Sequence, residues 1–290
     1  MVLESLSTPE KAEKKPYELF FLGAMYAAIA IFLSVWVFRE ESSIIMILLT
    51  VISCVPLLYN TMRFEEEKDI SIVNERLLIK EHAKALIFFM SLFIGFVISF
   101  SAAFIMLPQD LVQENLFDAQ LNTIRTINSN VAGESTSTIL NPLNTRLFTQ
   151  ILSNNLKVLI FCIFFSFFYG AGAIFILTWN ASVISAAIGS FFRTNISTYA
   201  SALGFTKAAG YFHIYSISLL RYFLHGIPEI LGYFIGGLAG GIISVAVIRH
   251  DFGSKLFKHV IRDSFSLIFL AVLTLAIAAV LEVFVTPLFF

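Results

Sequence analysis

Charged side chains are what this sequence has least of. Asp, Glu, Lys and Arg make up 13% of the 290 residues and nearly cancel, leaving a formal net charge of -1. Soluble domains carry about 25% charged residues, so a water-soluble globular fold is excluded. The near balance says little about partners, because the charges are segregated into loops; with no basic strand interleaved with aromatics, nucleic acid is not expected as a partner. Cysteine is rare as well. Cys54 and Cys162 each stand alone in an apolar run, which rules out a disulfide framework and a zinc site. There is no glycine-rich phosphate loop, no nucleophile elbow and no His-Glu-x-x-His helix. The sequence therefore points to no enzyme activity, no metal and no cofactor.

What fills the chain instead is apolar: 58% of residues are hydrophobic and 32 are phenylalanine. The reading is an all-α polytopic bundle in a lipid bilayer. A polar tail over 1–16 is followed by three spans within 17–107: about Tyr17 to Phe38, Ser43 to Met62 with a tolerated Pro56, and Ala85 to Leu107. Between the second and third spans, Phe64 to Lys84 places Ile70, Val73, Leu77 and the Lys80-Glu81 pair at helical spacing. That pattern predicts an amphipathic helix lying on the membrane surface.

Residues 108–153 are rich in Asn, Thr, Ser and Gln. Leu111, Leu116, Ala119 and Ile124 suggest a short amphipathic helix there, and Ala132 to Asn144 an irregular loop. A fourth span is expected from Leu156 to Trp179. Ala181 to Phe192 and Tyr211 to Leu224 are short apolar pieces, readable as re-entrant half-helices or as one polar span plus a hairpin. Pro228 to Ile248 and Phe265 to Val285 are full length, so the total is six or seven spans. Lysine and arginine gather in the tail, in the Arg63 to Lys84 connector and in the Arg249 to Arg262 turn, while Gln109 to Ser153 has only Arg125 and Arg146. The expected orientation in the plasma membrane is amino terminus inside and carboxyl terminus outside.

Polar groups inside apolar runs mark candidate sites, because an ionisable side chain there costs about 2.5 kcal/mol or more. His225-Gly226-Ile227-Pro228-Glu229 is the clearest case. Proline lacks a donor and crowds the preceding turn, so a helix break is predicted at Gly226 and Pro228. His225 and Glu229 then either lie near the headgroups or close a joint together with Arg221, or form an ion or proton site from half-helix ends; a metal-dependent catalytic centre would lack the second histidine of a His-Glu-x-x-His helix. Asn180 and Asn155 are further members of this candidate polar cluster, although they and Asn154 also suit helix caps. Glu282 is expected to reach the interface and Lys157 to snorkel. Beyond Glu229, Gly232, Gly236 and Gly240 recur every fourth residue, with Gly237 and Gly241 beside them. This bare stripe invites close helix packing, within the chain or in a homodimer, and Gly170 and Gly172 are candidates for the facing surface.

The order Asn154-Asn155, Gly170, Gly172, Asn180, His225-Gly226-Ile227-Pro228-Glu229 and Gly236-Gly237-Leu238-Ala239-Gly240-Gly241 resembles the stage II sporulation protein M family of integral membrane proteins. Ala181 replaces the glycine usual in that family. The resemblance covers about Asn154 to Ile248 within a membrane domain at 154–290. It implies membrane location, helical architecture and importance for His225 and Glu229. For the sporulation member it implies a scaffold that holds peptidoglycan-remodelling hydrolases without being one. Membrane or extracytoplasmic proteins, beside the lipid bilayer, are the partners so implied.

Overall fold

The computed structural model describes residues 13–72, 75–131, 142–166, 171–199, 204–249 and 254–289. Among them the regular structure is helical throughout: α1 (Pro16–Val37), α2 (Ser42–Ser71), α3 (Glu75–Met106), α4 (Asp118–Val131), α5 (Pro142–Ser166), α6 (Ala171–Asn195), α7 (Gly204–Arg249) and α8 (Lys255–Val280). A short helical turn and a π-helical turn, Val112–Leu116, lead into α4, and a second π-helical turn, Leu281–Val285, extends α8. All but α4 are long and apolar enough to cross a membrane, which makes seven candidate spans. The all-α polytopic bundle read from composition is what the chain forms.

Three expected elements differ. The helix break at Gly226 and Pro228 does not occur: α7 runs through both as one 46-residue helix. Pro228 withdraws a single donor, the one the Leu224 carbonyl would have used, and a helix packed on every side tolerates that loss. The half-helices expected over 181–228 are likewise absent. Ala181 to Phe192 belongs to α6, whose 25 residues begin at Ala171, and the predicted fourth span divides between α5, which ends at Ser166, and α6. The predicted surface helix at 64–84 is two helix ends instead. α2 continues to Ser71 and α3 starts at Glu75, because the charged residues there have partners on each other rather than in water.

Those partners form a buried network. His82 holds Glu65 through Nδ1 at 2.6 Å and Asp69 through Nε2 at 3.0 Å, and Lys68 bonds both Glu65, at 2.7 Å, and Glu13. Arg249 at the end of α7 donates to Glu66 at 2.6 Å. Glu65, Glu66, Asp69 and His82 are all buried. The network ties α2, α3, α7 and the residues before α1 at one end of the bundle, here called the charged end. At the other end Gln120 of α4 accepts from Ser43 of α2 at 2.8 Å and donates to Ser182 of α6 at 3.1 Å. The segment expected to hold a short amphipathic helix does so, pinned by this glutamine and by buried Val112, Leu116 and Phe117.

Between these ends α7 takes the longest path. At about 1.5 Å per residue, α3 rises about 28 Å from His82 to Ser101, while α7 rises about 51 Å from Arg249 back to Tyr215. Yet Tyr215 and Ser101 are hydrogen-bonded at 2.8 Å, and Arg249 is bonded to Glu66 beside the His82 network. α7 is therefore tilted against α3 or bent along its length, and it touches α2, α3, α5, α6 and α8 on the way.

Its glycines make those contacts possible, and they make them within the chain. Gly232 faces Leu275 and Ala271 of α8, Gly236 and Gly240 face Leu159 and Ile163 of α5, Gly237 faces Ala173 of α6, and Gly241 faces Met62 of α2. Among the described residues Leu159, Ile163 and Ser166 of α5 supply the facing surface, together with Ala173 of α6. Gly172 lies in α6, and Gly170 falls outside the described residues. A second close approach, which the sequence reading did not single out, joins Gly23 of α1 to the Leu92 carbonyl and Gly95 of α3 to the Phe20 carbonyl.

Two outcomes follow from this packing. A Cβ on Gly240 would stand 2.6 Å from the Ile163 carbonyl oxygen, whereas one on Gly237 would meet the Ala173 Cβ at 3.4 Å. Gly240→Ala is expected to cost about 1–3 kcal/mol and Gly237→Ala much less, read as thermal midpoints of the two variants in the same detergent. At the charged end, burial above all, helped by the adjacent Glu65 carboxyl, pushes the Glu13 carboxyl up to about 7. An acid raised on folding opposes folding increasingly as pH climbs from its unfolded value near 4.5 to about 7. The stability of the native protein should thus fall relative to Glu13→Gln across that window and stay parallel above it, which paired melting curves from pH 4.5 to 8 would test.

Candidate functional site

α7 is continuous, so His225, Glu229 and Tyr233 follow one another at four-residue steps on one helical face. Tyr233 donates its hydroxyl to Glu229 Oε1 at 2.7 Å. His225 Nδ1 lies 3.3 Å from the Thr286 hydroxyl, which also donates to the Leu281 carbonyl at 3.0 Å. That second bond spans the π-helical turn Leu281–Val285. The wider turn carries Glu282 to within electrostatic range of both Glu229 and Tyr233. Glu282, expected at the interface, is thus half-buried in the same cluster. His225 and Glu229 do not bond to each other. The closed joint that the sequence allowed is replaced by one partner for each, Thr286 for the histidine and Tyr233 for the glutamate.

The remaining predicted members divide. Arg221 sets its guanidinium 5.5 Å from the centre of the Phe191 ring, one turn from His225 and within electrostatic range of it. Asn155 is buried in the middle of α5 and is no cap: among the described residues its Nδ2 has no hydrogen-bond partner. Leu159 lies on Gly236 and Ile163 on Gly240, so one turn back along both helices sets Asn155 level with Gly232, beside Tyr233. Asn180 is also mid-helix and half-buried. Its Nδ2 donates to the Ile176 carbonyl at 2.8 Å, and the facing of Gly226 to Ile184 and Gly237 to Ala173 sets it level with Ile230. Asn154 is exposed on α5. The cap roles fail because the helices extend past each asparagine.

Four helices therefore place two carboxylates, a phenol, an imidazole and two amide groups within about two helical turns of one another, at the end of the bundle where α4 packs. A cluster of this kind can hold and pass a proton. Among the described residues no group of three or more His, Cys, Asp or Glu side chains is arranged to hold a metal ion. Sequence reasoning missed Tyr233, Glu282 and Thr286. Tyr233 was findable, four residues after Glu229, whereas Glu282 and Thr286 required the pairing of α8 with α7.

A family model described as stage II sporulation protein M matches residues 84–287, from the start of the apolar part of α3 to the last turn after α8. The match is wider than the segment that carried the resemblance, and it takes in the third span and the polar segment that holds α4. No curated protein and no solved structure matches.

Tyr233→Phe removes the donor to Glu229 while keeping the ring. It should lower stability by about 1–3 kcal/mol, the cost of leaving a buried acceptor unpaired, and Tyr17→Phe at an exposed position should cost nothing measurable. Denaturation of both variants in one detergent makes the comparison.

Proposed function

The chain belongs to the stage II sporulation protein M family, and we propose that it is a non-enzymatic integral membrane protein that serves as an anchor or assembly scaffold for partner proteins. The observation that carries this reading is the clamp at Gln120, which is buried between Ser43 and Ser182. It fixes an amphipathic helix outside the spans to α2 and α6, leaving Asn122 and Arg125 exposed. A surface held rigidly on a membrane bundle suits docking, since little order has to be gained on binding. The charged end carries Arg63, Lys68, Lys80, Lys84, Arg249, Lys255, Lys258 and Arg262. That concentration supports a cytoplasmic charged end in the plasma membrane, with α4 and the first turns of α5 outside.

The test is co-purification of the native full chain in mild detergent, alongside Gln120→Ala combined with Ser182→Ala. A partner recovered reproducibly with the native chain and lost with the double variant, at unchanged helicity, is the expected result. Recovery of no partner with the folded native chain, or equal recovery with both, overturns it.

A transporter or channel is the second reading. It is favoured by Glu229 and Glu282 lying within electrostatic range of each other and by the buried Asn155 amide, unpartnered among the described residues, since burying such groups is costly unless they are used. Proteoliposomes loaded with a pH dye would report a proton flux that Glu229→Gln abolishes; a flux no greater than that of empty liposomes removes this reading.

A further inference from the structure

α5 is the least buried of the seven candidate spans, and its bare side is not uniform. Val158, Phe161 and Phe165 of α5 and Phe175 and Ile176 of α6 line a cavity of about 430 Å³, with walls that are apolar throughout. Phe161 and Phe165 stack with ring centres 6.0 Å apart, so the floor of the groove is an aromatic strip. Four residues before Phe161, on the same helical stripe, stands Lys157, exposed and without a hydrogen bond or ion pair among the described residues. Asn154, exposed and a potential donor, precedes it by one turn.

A lone lysine on the bare face of a spanning helix has to place its ammonium at the nearest polar layer, and its stem lies along apolar surface on the way. Above Lys157 the exposed residues of α5 are polar, among them Gln150, Ser153 and Asn154; below it they are Ile160, Phe161 and Phe164. The ammonium therefore marks the rim of the apolar layer, and the groove runs inward from beneath it. A cation at the mouth and an apolar slot below fit one amphipathic shape: an anionic group carrying a long chain. A zwitterionic lipid would fill the slot and bring a phosphate, but its own ammonium would offset the gain at the lysine, and a second protein helix would leave the lysine ammonium opposed by apolar side chains.

We propose that the α5–α6 groove is a binding site for an anionic phospholipid, with an acyl chain along Phe161 and Phe165 and the phosphate group at Lys157. The site is separate from the Glu229 cluster, and it does not depend on which functional reading of that cluster holds. The experiment is native mass spectrometry of the delipidated full chain, titrated with phosphatidylglycerol or phosphatidylcholine of identical chains. The native protein should retain phosphatidylglycerol about fivefold better, the ratio one lysine near an anionic headgroup supplies. Lys157→Gln, an exposed change, should abolish that preference. Val158→Trp, which fills the slot, should reduce retention of both lipids. Glycerol 3-phosphate, which carries the headgroup charge without chains, should not bind. Equal retention of the two lipids by the native protein, an unchanged preference in Lys157→Gln, unchanged retention in Val158→Trp, or binding of glycerol 3-phosphate would each overturn the assignment.

Discussion

The close approach of α5 to α7 is the contact on which the rest of the bundle depends. Where the Ile163 carbonyl comes within reach of Gly240, only a residue without a side chain can stand. Ser166 uses that closeness to donate across to the Gly237 carbonyl at 2.9 Å, as well as back to its own helix at Cys162. In hydrocarbon there is no water to exclude, so such contacts rest on dispersion and on polar groups that find each other. The same glycine stripe also seats α6, α8 and α2 on α7, and the register of the bundle follows from it.

That register decides what the polar residues become. With α8 set against Gly232, the turn after α8 arrives beside Glu229 and His225, and a carboxylate that was only near the end of a span becomes part of a buried cluster. With α5 set against Gly236 and Gly240, the Asn155 amide is buried without a partner among the described residues. A buried donor left unmade is costly, and its position next to Tyr233 makes this level the functional candidate of the membrane domain. The network at the charged end is built differently. Glu65, Lys68, Asp69 and His82 interlock with Glu13, and Arg249 holds Glu66, so most of their bonding capacity is used within the protein. Breaking such a set strands a buried charge, and its role is to hold helix ends in place.

Much of this was legible in the sequence. The apolar share and the scarcity of charge determined a helical membrane bundle, the four-residue glycine spacing determined that α7 would be approached closely, and the His225 to Glu229 element pointed to the family. Local rules failed where tertiary contacts outweighed them. Proline at 228 breaks an isolated helix, but a helix supported by five neighbours and lacking water to compete for its carbonyls continues through it. The charged stretch from Phe64 to Lys84 has the spacing of a surface helix, yet its acids and bases satisfy each other better by extending α2 and α3 into a pair.

Sequence by itself thus settled the solvent in which the protein folds, because hydropathy is a property of each residue and adds along the chain. It also marked the segment that another backbone could approach closely, because a periodic absence of side chains is written in one segment. Only the tertiary structure decided that Tyr233 and Glu282 belong with Glu229, that Asn155, buried, and Asn180, half-buried, sit mid-helix rather than at caps, and that the glycine stripe is used within the chain. Each of these depends on the register between helices distant in sequence, and register is set by the sum of many side-chain contacts that no single segment contains.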